Sequence, residues 1–198
     1  MTRARQRGDA GQAFPIYITV VAGLLFLALA FLAVGQAAAN RNGAQTAADA
    51  AALAAAQETR DDLAGVWLED VLNPDKWQAI FDGIAPGVES ACWRAYELAA
   101  MNDAQATCAS DGLLAYEVEA TTNKTVGDSI VPGTAGKRST ETARAVIEPH
   151  CTFELPGEDA GDDVLPSLSC DGEDWELDPE DLTDLPGPED LFDVHLAD

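Results

Sequence analysis

The last quarter of this sequence lacks positive charge: from Glu154 to Asp198 there are 17 Asp and Glu residues and no Lys or Arg. The whole chain has 11 Lys and Arg against 35 Asp and Glu, a formal net charge of −24. Because a field of this sign repels phosphate groups, we expect no nucleic-acid partner and no simple docking on anionic lipid. The acids favour solubility, or the capture of a basic partner or a cation.

Residues that usually build active sites are also scarce. The chain has two histidines, and none of its four cysteines stands in a CxxC pair, so the ligand spacing of a zinc site is absent. No Ser, Cys or His stands in a nucleophile motif, and the acidic residues 171–181 lack the register of an EF-hand loop. We therefore expect no enzyme activity, catalytic residue, metal site or cofactor. Weak calcium binding by residues 171–181 is the alternative.

What the sequence does contain is one long hydrocarbon run, residues 16–34, with no charged residue between Asp9 and Arg41. As a helix, the run would be about 28 Å long, close to the hydrocarbon thickness of a bilayer, about 30 Å. Arginines are more frequent before the run than after it, so the positive-inside rule predicts a cytoplasmic N-terminus and an exported C-terminal region. The alternative is a secretory signal with an A-x-A cleavage site at Ala37 and Ala39, which would release a secreted domain.

The segment that follows is nearly all alanine: residues 45–57 read QTAADAAALAAAQ. On a helical wheel the alanines gather on one side. Alanine favours helix formation, and small side chains let another backbone approach closely. We therefore predict one helix that continues out of the membrane and packs against a neighbouring helix. Its predicted packing seam consists of Gly35, Ala39, Gly43, Ala44, Ala47, Ala48, Ala51, Ala54 and Ala55. The simpler alternative is a solvated stalk without a partner.

Residues 11–57 resemble the N-terminal region of the Tad (tight adherence, or Flp) pilus-assembly proteins of the TadE/TadG-like kind. The resemblance rests on a short basic leader, one membrane helix and the AADAAALA motif at Ala47–Ala54. It implies a single-pass, pseudopilin-like component or assembly factor in a bacterial cell membrane. Its implied partners are other pilin-like subunits or pilus assembly proteins, contacted through the helix within the lipid bilayer.

Proline and glycine divide the remainder of the chain. We predict a cytoplasmic leader at residues 1–13, a transmembrane helix at 14–39, a stalk helix at 40–72, a small exported domain at 73–155 and an acidic tail at 156–198. The fold class is α+β, with short helices and two to four antiparallel strands. Residues 89–101 suit a helix, and the alternating residues 113–122 and 139–148 suit strands. The tail is expected to be partly disordered, and its capture of a basic partner is the alternative function.

The even number of cysteines after a membrane segment indicates disulfides in an oxidising compartment. A helix that holds Cys92, a reversal and a returning strand that holds Cys108 would bring these two cysteines together. This pairing leaves Cys151 with Cys170. The two other pairings and free thiols remain open from the sequence alone.

Overall fold

The computed structural model describes residues 13–126, 136–157 and 164–197. Except for Ala13, the predicted basic leader lies outside these ranges. The chain begins in one α-helix, α1 (Ala13–Glu69), of 57 residues. Pro15 lies in its first turn, where its missing N–H costs no hydrogen bond. The helix ends shortly before Pro74, which starts a short 3₁₀ turn. The predicted long N-terminal helix is thus confirmed.

A small α+β domain follows, as predicted. Its further helices are α2 (Trp77–Phe81), α3 (Cys92–Met101) and α4 (Pro188–Leu191). Its strands are β1 (Ala104–Ser110), β2 (Ala115–Thr122), β3 (Thr140–Pro149), β4 (Cys151–Phe153), β5 (Leu168–Cys170), β6 (Glu173–Trp175) and β7 (Phe192–Ala197). The main sheet is antiparallel with the order β1-β2-β3-β7, and a second antiparallel sheet has the order β4-β5-β6.

The core lies between the second half of α1 and the main sheet. Strand β2 alternates as its sequence predicts, with Tyr116, Val118 and Ala120 buried and the intervening glutamates exposed. Both β2 and β3 pack on α1, and α3 packs beside them. The Tyr116 hydroxyl lies 2.6 Å from the hydroxyl of Thr59 in α1, and it accepts the backbone N–H of Ala91 at 3.1 Å. The hydroxyl groups of Tyr116 and Thr59, both buried at this interface, therefore have hydrogen-bond partners.

An aromatic cluster closes the end of the core where α1 finishes. The ring centroids of Trp67 and Trp77 are 5.4 Å apart, and Trp77 meets Phe153 edge-on at 5.2 Å. Phe81 meets Phe192 of β7 edge-on at 5.5 Å. Tilted and edge-to-face rings at these distances are favourable pairings. The cluster joins the neighbouring helices α1 and α2 to β4 and β7, which are far from them in the sequence.

The predicted partly disordered tail at residues 156–198 is wrong for its described part, residues 164–197. These residues form β5, β6, α4 and β7, and β7 extends the main sheet by pairing with β3. Leu168, Leu191 and Phe192 are buried in the core. The acids are compatible with this fold because they occupy solvent-facing positions between a few apolar residues that reach the core. The described part of residues 73–155 holds four strands, β1 to β4, as predicted, and the tail adds β5, β6 and β7.

Candidate functional site

The first half of α1 is an exposed apolar surface. All 14 large apolar side chains from Phe14 to Val34 are between 46% and 82% exposed. Globular proteins rarely leave a continuous apolar surface of this size in water. By length and composition, this helix could cross a membrane, with a mean hydropathy of 2.6 over its most apolar window. The segment supports a membrane anchor.

The second half of α1 lies inside the domain, and this corrects the predicted packing seam. Five of its nine residues are fully buried by the chain's own domain: Ala44, Ala47, Ala48, Ala51 and Ala55. Ala54 is half-buried, whereas Gly35, Ala39 and Gly43 are exposed. The fully buried face also includes Ala52 and Ala56, which lie outside the predicted seam. We call the seven buried alanines the alanine face.

The alanine face is covered because methyl groups let the sheet and α3 approach the helix axis closely. Helix α3 itself buries Ala95 and Ala99, again spaced four residues apart. Packing of Ala44–Ala55 against a neighbouring subunit is therefore wrong for the folded chain, since its own β2, β3 and α3 already occupy that face. The small residues of the predicted seam that stay exposed lie nearer the apolar segment, at Gly35, Ala39 and Gly43.

A cluster of polar contacts fixes the domain to α1 where the helix leaves its apolar segment. The Asn40 side chain donates to the backbone carbonyl of Lys124 at 3.1 Å and accepts the Thr122 hydroxyl at 2.7 Å. Arg41 Nε lies 2.6 Å from Glu141 Oε1. These contacts join α1 to the end of β2 and the start of β3, and we call the five residues the helix exit. Sequence reasoning missed this cluster because its members lie 82 to 100 residues apart.

An open cavity of about 400 Å³ lies beside the helix exit. Helix α1 contributes Gln36, Ala39, Asn40 and Gly43 to its wall, and the domain contributes residues that include Asp103 and Lys124. Lys124 Nζ donates to Asp103 Oδ2 at 2.6 Å across its mouth. This hydrogen bond and the carboxylate charge raise the pKa of Lys124, so the ammonium stays charged well above neutral pH.

All four cysteines form disulfides, Cys92 with Cys108 and Cys151 with Cys170. The first bridge ties α3 to β1, in the helix–reversal–strand arrangement that the sequence favours. The second joins residues that lie directly opposite each other in the β4–β5 pair. Neither bridge leaves a thiol for catalysis or metal binding.

The acidic segment at residues 171–181 begins with a β-hairpin turn. Asp171 and Gly172 form the two-residue turn between β5 and β6, with φ angles of 47° and 89°. Positive φ at both positions is the type I′ geometry that an Asp-Gly pair favours in hairpins. Among the described residues, no group of three or more His, Cys, Asp or Glu side chains could hold a metal ion. The Asp-Gly pair is a hairpin signal in the sequence, and the hypothesis of weak calcium binding by residues 171–181 did not take it into account.

Comparison with known proteins gives one match. Residues 11–58 match the model of the family described as "Putative Flp pilus-assembly TadE/G-like" (Tad). The match starts before the apolar run and ends within the alanine-rich half of α1. No curated protein and no solved structure matches the chain. The N-terminal helix region is therefore similar to that of the TadE/G-like pilus-assembly family, as the AADAAALA segment predicts.

Proposed function

We propose that this protein is a single-pass membrane component of Flp-type pilus assembly, with its N-terminus in the cytoplasm and its domain exported. The proposal assigns it a structural role without enzyme activity. One observation carries it. A single unbroken helix is exposed and apolar at one end and forms part of the core of a disulfide-bonded domain at the other. The family match covers the part of the helix that joins these two regions.

Such a helix would couple the domain rigidly to the membrane. A flexible linker would let the domain drift, whereas here the helix exit and the alanine face hold the domain to the same rod that spans the lipid. Contacts with other pilus components would then be made by α1 at the point where its apolar run ends. Gly35 follows this run directly and is exposed, and a glycine there lets another helix approach closely. It replaces the alanine face as the proposed contact.

The orientation can be tested with alkaline phosphatase, which is active only after export. Fused to the C-terminus of the full chain, it should be active, and fused to the N-terminus it should be inactive. The intact mass of the membrane-extracted protein should include the apolar segment. Activity of the N-terminal fusion, or a mature chain that begins near Asn40, would overturn the proposed anchor.

The role in assembly predicts that Gly35→Leu abolishes pili while the protein remains in the membrane. A leucine at this position would separate two crossing backbones, and a loss of about 1.4 kcal/mol in association already weakens binding about tenfold. Pili per cell would be counted by electron microscopy in a deletion strain that expresses each variant. Gly23→Leu is the matched control, because Gly23 lies in the same apolar helix on a different face, and an added Cβ at either glycine meets no atom within 4 Å. Equal piliation by the two variants would contradict a contact at Gly35.

A further inference from the structure

One end of the cavity at the helix exit lies at the depth of lipid headgroups, if α1 spans a bilayer as proposed above. The apolar run ends at Val34, and the helix residues that line the cavity run from Gln36 to Gly43. They are therefore about 3 to 14 Å beyond the end of the run. The polar layer of a bilayer is roughly 5 to 8 Å thick on each side of the hydrocarbon. The membrane-proximal part of the cavity falls within this layer.

The cavity wall is suited to a phosphate-bearing headgroup. Its mouth has the Lys124 ammonium, the Asn40 and Asn102 amides and the Thr125 hydroxyl, all of which can donate to phosphate oxygens. The Asp103 carboxylate beside Lys124 can in turn accept a hydroxyl or ammonium group of the same headgroup. Ala39 and Gly43 have little or no side chain, which leaves room against the helix for the headgroup itself.

Positive charge is concentrated around this cavity, in contrast to the rest of the domain. Of the eight Lys and Arg residues after residue 40, four lie at this end: Arg41, Lys124, Lys137 and Arg138. The backbone N–H of Val126, a cavity residue, donates to the carbonyl of Lys137 at 2.8 Å, which places the second pair next to the first. Lys137 and Arg138 are exposed. Arg41 and Lys124 are each paired with a carboxylate, Glu141 and Asp103, so the positive charge left over at this end comes from Lys137 and Arg138.

We propose that this cavity binds the headgroup of a phospholipid in the extracytoplasmic leaflet, with the phosphate on Lys124. The bound lipid would fix the height and the tilt of the domain above the membrane. The proposal rests on α1 being a membrane anchor. The residues around the cavity would contact lipid, and Gly35 would remain available to the partner helix.

The test is lipid retention by the full-length protein. The protein is released from nanodiscs that contain phosphatidylethanolamine, phosphatidylglycerol and a phosphate-free galactolipid, and retained lipids are counted by native mass spectrometry. Wild type is expected to keep one phospholipid per chain in preference to galactolipid. Lys124→Gln removes the charge, and Gly43→Leu fills the cavity; at Gly43 an added Cβ meets no atom within 4 Å. Lys124→Gln should lower the affinity for phospholipid about tenfold because a charge-assisted contact is lost, and Gly43→Leu should lower it by a similar factor because the leucine occupies the space of the headgroup.

Matched controls exist elsewhere on the chain. Lys76→Gln removes an exposed lysine that contacts Asp70 at 2.6 Å, the same distance as in the Lys124–Asp103 pair. Gly65→Leu adds a leucine to the same helix, again with no atom within 4 Å of the new Cβ. Equal phospholipid retention by the variants and their controls, or equal retention of galactolipid by wild type, would overturn the lipid site. Failure of the protein to enter nanodiscs at all would instead overturn the membrane anchor.

Discussion

Replacing Phe192 by alanine is expected to lower the free energy of unfolding of the domain by about 3 to 5 kcal/mol, the usual effect of removing a buried phenylalanine. Phe192 is fully buried although it lies in the most acidic part of the chain. Its ring packs on Phe81, and its strand pairs with β3 through the Pro149–Phe192 register. The substitution would leave a cavity between β7 and α2.

Urea unfolding of the full chain in detergent micelles, followed by tryptophan fluorescence, would measure this loss. Leu196→Ala is the control, because Leu196 lies on the same strand and is 37% exposed. We expect that control to change stability by less than about 1 kcal/mol, as is usual for surface positions. Equal stability of the Phe192 variant and wild type would mean that residues 192–197 are not part of the core.

The composition of residues 156–198 predicted a partly disordered tail, and the prediction failed for a physical reason. Segments with many acids, prolines and few apolar residues usually cannot bury enough surface to fold alone. Here the segment folds against the rest of the domain. Strand β3 provides hydrogen-bonding groups for β7, and α1 provides the surface that Leu191 and Phe192 cover. Only the arrangement of the preceding domain reveals this edge of β3 and this surface of α1. A deletion of residues 156–198 would consequently remove a strand of the main sheet and would test stability more than partner binding.

The extent of α1 could be predicted from the sequence better than the elements that pack against it. Hydropathy and alanine content define one long helix, and the helical wheel identifies five of its seven buried alanines. A wheel shows which side of a helix is small, but it contains no information about which element covers that side. The helix exit was beyond prediction for a similar reason, since Asn40 meets Thr122 only through the packing of β2 on α1. The family resemblance covers the apolar segment and the start of the alanine-rich segment, and it gives no information about the domain that follows.

Leucine at both Ala51 and Ala55 is expected to destabilise the domain by roughly 2 to 6 kcal/mol, from about 1 to 3 kcal/mol for each overpacked position. Both residues are fully buried one turn apart against the sheet and α3. Larger side chains there would push the helix away from β2, which also strains the hydrogen bond between Thr59 and Tyr116. Because the residues are neighbours, the two effects need not add.

The same substitutions separate the two possible uses of the alanine face. If it packs inside the chain, the full-length protein in dilute micelles should unfold at lower urea, and its level in cells should fall. If it were a contact with a neighbouring subunit, the isolated chain would keep its stability and only piliation would be lost. Thr46→Leu together with Gln57→Leu is the control, because both residues are exposed on the same helix. An unchanged urea midpoint for the variant with leucine at Ala51 and Ala55 would mean that the sheet does not pack on the alanine face. It would support packing of that face against a neighbouring subunit instead.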